Sequence, residues 1–206
     1  MSLHLSSAAL AAALLVSALN CAAQAPAWSY SATGNYYSLR NQDDYLLTIA
    51  TAERGPLLLE ARYNYEARDT GSVFVGWKFS GGEALTYEFT PILGAVFGQT
   101  QGIAPGFKAS AAYGIVDFYV EAEYLRDSKS QDDSFTYAWS ELGFSPAKWL
   151  RFGIVGQRTR AYQSDRDIQR GGFAQFISGK VTLGLYVFNP DDSADRVAIL
   201  SLGADF

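Results

Sequence analysis

Residues 57–67 (LLLEARYNYEA) sort their side chains into two sets with a period of two. Leu57, Leu59, Ala61, Tyr63 and Tyr65 fall on one face, and Glu60, Arg62, Asn64 and Glu66 on the other. A helix would mix these sets, whereas a strand points successive side chains to opposite sides and separates them. In 116–126, Val116, Phe118, Val120, Ala122 and Tyr124 likewise oppose Asp117, Tyr119, Glu121 and Glu123. In 72–80, Val73, Val75, Trp77 and Phe79 oppose Phe74, Gly76 and Lys78. The pattern runs from Trp28 to the end of the chain, and it predicts an all-β fold.

Twelve such segments can be marked: 29–38, 45–53, 57–67, 72–80, 84–97, 104–113, 115–126, 134–144, 148–158, 170–178, 180–188 and 196–206. Alternation is weakest in 45–53, 84–97 and 170–178, which keeps ten strands as the alternative count. Tight Gly- and Pro-bearing turns (53–56, 81–83, 114, 145–147, 179) alternate with longer polar loops (39–44, 68–71, 98–103, 127–133, 159–169, 189–195). An antiparallel up-and-down meander, with one short-turn end and one long-loop end, produces that order.

Residues 8–19 (AALAAALLVSAL) form an apolar run too short to span a bilayer as a helix but suited to the core of a signal peptide. Small residues at Cys21-Ala22-Ala23 mark the expected cut, giving a signal peptide over 1–23 and one barrel domain over 24–206. Asn20 fits a lipobox poorly, so removal rather than lipidation is expected. The single Cys, His and Met all lie within the first 21 residues. The exported chain therefore has no thiol or imidazole chemistry, and no cofactor or metal site is expected. Net charge is −5, with 16 Lys+Arg against 21 Asp+Glu, which leaves no basic footprint for nucleic acid.

Period two does not say which face is wet. A soluble barrel turns the apolar face inward, and a membrane barrel turns it toward lipid. Phe206 ends an apolar stripe that reads back through Ala204, Leu202, Leu200 and Ala198. Aromatics gather near strand ends: Trp28, Tyr30, Phe79, Phe118, Phe144 and Trp149 at the short-turn end, and Tyr36, Tyr45, Tyr65, Phe97, Tyr124, Phe135, Tyr137 and Phe188 at the other. With the export signal and even strand count, these features resemble bacterial outer-membrane β-barrel proteins. The resemblance covers 24–206 as a pattern and points to no narrower family. It implies a transmembrane antiparallel up-and-down β-barrel of twelve strands in the bacterial outer membrane. It also implies that Phe206 is the assembly signal and that the long loops lie outside the cell. The implied partners are membrane lipid, lipopolysaccharide, the barrel assembly machinery and a small solute.

Barrel enzymes of that membrane use a histidine in catalysis, and residues 24–206 have none. No catalytic residue is therefore assigned. Glu121 and Glu123 share a face, but they lie side by side rather than across a cleft, as a glycosidase pair would. The lumen-lining set is Glu60, Arg62, Asn64, Glu66, Lys78, Glu88, Lys108, Asp117, Glu121, Glu123, Arg151, Gln157 and Lys180. Its signs nearly cancel, which fits either an ion-paired wall or a selectivity lining. Arg158, Arg160, Arg166 and Arg170 form an anion-binding candidate at the outer rim, against the alternative of a loop closed on its own salt bridges. The expected function is a narrow channel or binding barrel for a small polar or charged solute. The alternative is an accessory barrel with a plugged lumen that contacts lipid, surface polymer or a partner complex. A barrel hydrolase is the third and weakest reading.

Overall fold

The computed structural model describes residues 26–40, 42–161 and 167–206, with backbone alone for 159–161 and 167. Residues 1–25, which include the expected signal peptide, lie outside them. The strands in chain order are β1 (Ser29–Leu39), β2 (Tyr45–Arg54), β3 (Leu57–Tyr63), β4 (Thr70–Trp77), β5 (Phe79–Gly81), β6 (Leu85–Gly98) and β7 (Gly102–Tyr113). They continue as β8 (Val116–Asp127), β9 (Phe135–Ala147), β10 (Leu150–Ala161), β11 (Asp167–Ser178), β12 (Val181–Phe188) and β13 (Val197–Asp205). A short 3-10 turn, Gln131–Asp133, precedes β9.

Apart from β4 and β5, each strand pairs antiparallel with its neighbours in sequence, and β1 pairs with β13. β4 and β5 both pair with β6 and are two parts of one wall strand interrupted at Lys78, so the sheet closes as a 12-strand barrel. Closure leaves no unpaired sheet edge, as backbone inside a hydrocarbon layer requires. The start of β1, the end of β13 and the tight turns share one end. Gly179 takes a φ of +59° at that end, which lets the β11–β12 connection reverse tightly. The other end carries 64–69, 99–101, 128–134, 189–196 and, of the β1–β2 connection, 40 and 42–44. The 99–101 connection is no longer than the turn at 82–84, so the alternation in length has one exception.

The outer wall is apolar. Leu59, Val73, Val75, Trp77, Leu93, Leu183, Leu185, Leu200 and Leu202 are all exposed on it. At the short-turn end Tyr30, Phe79, Tyr113, Trp149 and Phe206 stand outward, and at the loop end Tyr36, Tyr63 and Phe97 do. Tyr45, Tyr65, Phe135, Tyr137 and Phe188, expected in the upper belt, are instead half-buried or buried and line or pack toward the lumen. The inner wall is only partly polar. Tyr37, Leu47, Val155, Phe173, Tyr186, Phe188, Val197 and Ile199 pack together on β1–β2 and β10–β13. Leu58, Phe74, Ile92, Val96, Ala104 and Leu125 do so on β3–β8.

β3 ends sooner than its alternation suggests. Asn64 adopts a φ of +60° and Asp69 one of +50°, a left-handed conformation that Asn and Asp tolerate best after Gly. The Asn64 side chain stabilises this bend by donating to the Leu46 carbonyl (2.9 Å) and accepting from the Asp69 amide (2.8 Å). The bend turns Tyr65 away from the outer face and carries Tyr65 and Glu66 into the lumen.

Candidate functional site

Inward-facing positions of β3 and β8 bring the central charges together. Three wall strands, β4, β6 and β7, separate β3 from β8 in sheet order, so contact between their side chains crosses the lumen. Arg62 makes that crossing. Its guanidinium lies 2.6 Å from Glu60, 2.6 Å from Glu121, 3.1 Å from Glu123 and 3.8 Å from Glu66. The rings of Tyr65 and Phe74 each lie 4.1 Å from its central carbon. The planar fork bonds carboxylates at its edge while its faces stack on rings, a combination that suits Arg rather than Lys. Lys108 extends the lattice to Glu60 at 2.5 Å and Glu121 at 3.7 Å.

A second lattice lies toward the short-turn end. Arg151 bonds Asp117 (2.5 Å), Glu141 (2.6 Å) and Gln175 (3.0 Å), and its guanidinium lies 4.7 Å from the Phe173 ring. Lys78 reaches Glu53 at 2.7 Å and Glu88 at 3.8 Å. Gln157 donates to Gln169 nearer the long-loop end.

Two members of the expected lining lie elsewhere. Asn64 occupies the bend described above, because its side chain is spent on that bend. Lys180 is exposed in the tight turn after Gly179, where the strand period no longer applies. Of the expected rim arginines, Arg158 and Arg170 are exposed on the outer side. Arg170 pairs at 3.3 Å with Asp191. The side chain of Arg160, and Arg166 altogether, lie outside the described residues. Phe206 is exposed, and its amide donates to the Tyr30 carbonyl at 2.9 Å.

Three cavities follow one another between the two ends. One of about 800 Å³ opens near the short turns, lined by Ser80, Glu88, Asp117, Tyr119, Glu141 and Arg151. A second of about 320 Å³ shares Tyr119, Glu141 and Gln175 with it and adds Asn35, Trp139 and Tyr186. A third of about 380 Å³ lies toward the long loops, between Gln42, Glu66, Glu123 and Gln157. Tyr37, Tyr65 and Tyr137 belong to both the second and the third, so their side chains stand at the boundary. Tyr65 and Tyr137 meet edge to face at 5.5 Å, and the Tyr65 hydroxyl donates to Glu121 at 3.2 Å.

The sequence put Tyr65 and Tyr137 in the upper aromatic belt rather than the lumen, and did not single out Tyr37. Tyr37 and Tyr137 were open to detection: Tyr137 is in phase with Glu141, and Tyr37 with Asn35, so each belongs to the polar face of its strand. Tyr65 carried the opposite phase, and only the Asn64 bend explains its position.

No known family pattern matches the chain, and no curated protein sequence does. Among solved structures, a KdgM porin in complex with disordered oligogalacturonate superposes with a TM-score of 0.64 at 9% identity, over 85% of this chain and 99% of that one. A KdgM porin structure gives 0.59 at 9% identity over 85% and 99%. A protein from work on the in-meso crystallization of membrane proteins gives 0.59 at 11% identity over 86% and 83%. At such identities the likeness concerns the fold. What is shared is the closed antiparallel β-barrel, which in this chain carries an apolar exterior.

Proposed function

We propose that the barrel is a narrow passage for a small polar or charged solute, with the charge lattices as its lining. The observation that carries this reading is the succession of polar-lined cavities from the short-turn end to the long-loop end, each sharing wall residues with the next. A 12-strand barrel falls between small barrels filled by side chains and wide porins, so a narrow lumen is the expected geometry. The solved KdgM porin carrying oligogalacturonate supports a solute-passing role for this architecture. Residues 1–23 serve as the export signal and Phe206 as the assembly signal. Arg158 and Arg170 face the lipopolysaccharide phosphates at the rim. No catalytic role is assigned, since Glu121 and Glu123 are both bonded to Arg62.

Planar-bilayer recording tests the passage. Single-channel steps are expected, and Arg151→Ser is expected to move the reversal potential toward cation preference, because it removes a half-buried positive charge from the cavity of about 800 Å³ near the short turns. A silent bilayer together with co-purification of a partner would instead favour the accessory barrel. The Arg62 lattice across mid-lumen is the observation that keeps that second reading in view.

A further inference from the structure

The lattice around Arg62 is short of positive charge. Glu60, Glu66, Glu121 and Glu123 all lie within 4.0 Å of one guanidinium, and the second cation there is Lys108. Lys108 serves Glu60 and Glu121. The carboxylates left to share Arg62 alone are therefore Glu66 and Glu123. Hydrogen bonding singles out the same pair independently. Among the described residues, Oε2 of Glu66 and Oε1 of Glu123 are the buried side-chain oxygens without a hydrogen-bond partner. Both side chains are 0% exposed. Buried unpaired carboxylate oxygens are costly unless a cation or donor meets them.

Both residues line the cavity of about 380 Å³ toward the long loops, and Tyr37, Tyr45, Tyr65 and Tyr137 are among the residues that line it with them. Ring faces attract cations, and organic cations most readily exchange water for such walls. A bare divalent ion suits the site poorly. Calcium needs six to eight oxygens, and the described residues contain no group of three or more acidic, His or Cys side chains able to hold a metal.

We propose that Glu66 and Glu123 form a binding subsite for the ammonium or guanidinium group of a small organic cation, in the outer part of the lumen. As a statement about which solute the lumen takes, this rests on the passage reading above; as a binding site, it is separately testable.

The test is calorimetry on the purified full chain in detergent, comparing 1,4-diaminobutane with its neutral isostere 1,4-butanediol. The diamine is expected to bind at least about tenfold more tightly than the diol, the scale of one charge-assisted hydrogen bond. Glu66→Gln and Glu123→Gln are each expected to abolish the preference. Equal binding of diamine and diol by the unaltered protein would overturn the subsite without any variant. So would tighter binding of calcium than of the diamine, or full diamine affinity in variants that keep heat-modifiable gel migration. Bilayer recording separates the two readings. A silent bilayer with diamine preference intact defeats the passage and leaves the subsite standing. An open channel with no preference does the reverse.

Discussion

Arg62 holds four carboxylates with one guanidinium, and its side chain has no exposure to water. Arg62→Met would keep most of the side-chain volume but leave those carboxylates facing each other. Breaking a buried ion pair from one side costs about 3–5 kcal/mol, and a loss of that size is expected in urea unfolding from lipid vesicles. Arg62→Lys should recover only part of it, since one Nζ cannot reach Glu60, Glu121 and Glu123 together or stack between two rings. Phe74, one of those rings, depends on Gly94. A Cβ at Gly94 would lie 2.3 Å from the Phe74 ring. Gly94→Ala must therefore displace the ring from beneath Arg62, at about 1–3 kcal/mol for overpacking. Adding Phe74→Leu should restore part of the lost stability in the same unfolding assay. If the two losses simply added, the ring would not be the element displaced.

Among the connecting elements, the β1–β2 loop hinges on one carboxylate. Asp44 accepts the Leu39 amide at 3.0 Å and the Tyr36 hydroxyl at 2.8 Å. Chiefly the Leu39 amide, and next the Tyr36 hydroxyl, hold its carboxyl below the usual range. A depressed folded value means that the ionised form stabilises the loop. That contribution is complete above the unfolded value of about 3.9 and fades as pH falls through the lower folded one. Hydrogen exchange should show Leu39 protected at pH 6 and losing protection below about pH 4, and Asp44→Ala should remove the protection at both. Such loops were only partly legible in the sequence. Wall strands such as β8 were readable because the outward face is apolar and the inward face carries charge, so period two appears in residue type. β13 hid its inner face: Val197 and Ile199 are buried inside while Leu200 and Leu202 face outward, and both faces look alike in composition. Tyr65 could not be placed, because the chain leaves β3 at the left-handed Asn64, beyond which a period of two no longer assigns faces. Neighbouring strands were legible as hairpins. The contact of Arg62 with Glu121 was not, because it depends on barrel closure and crosses the lumen.

For the whole molecule, the question is where a solute would meet most resistance. The wall is continuous, and cavities lie at both ends, so resistance belongs to the side chains between them. Tyr37, Tyr65 and Tyr137 occupy that boundary. They are not equivalent. Tyr37 stacks on Tyr45 at 4.7 Å within the apolar cluster, and Tyr65 stacks on Arg62 and bonds Glu121, so truncating either would disturb the fold of the lumen. Tyr137 contributes an edge-to-face ring contact with Tyr65 at 5.5 Å and is the member most readily removed without unpairing a charge. Tyr137→Ala should therefore merge the cavities of about 320 Å³ and about 380 Å³ while leaving both lattices in place. Single-channel conductance is expected to rise at least about twofold, because a narrow pore resists mainly at its constriction. Tyr137→Phe keeps the ring and should conduct as the unaltered protein does. An Ala variant that conducts no better than the Phe variant would show that ions bypass the tyrosines, and the path inferred from the cavities would have to be redrawn around another part of the lumen.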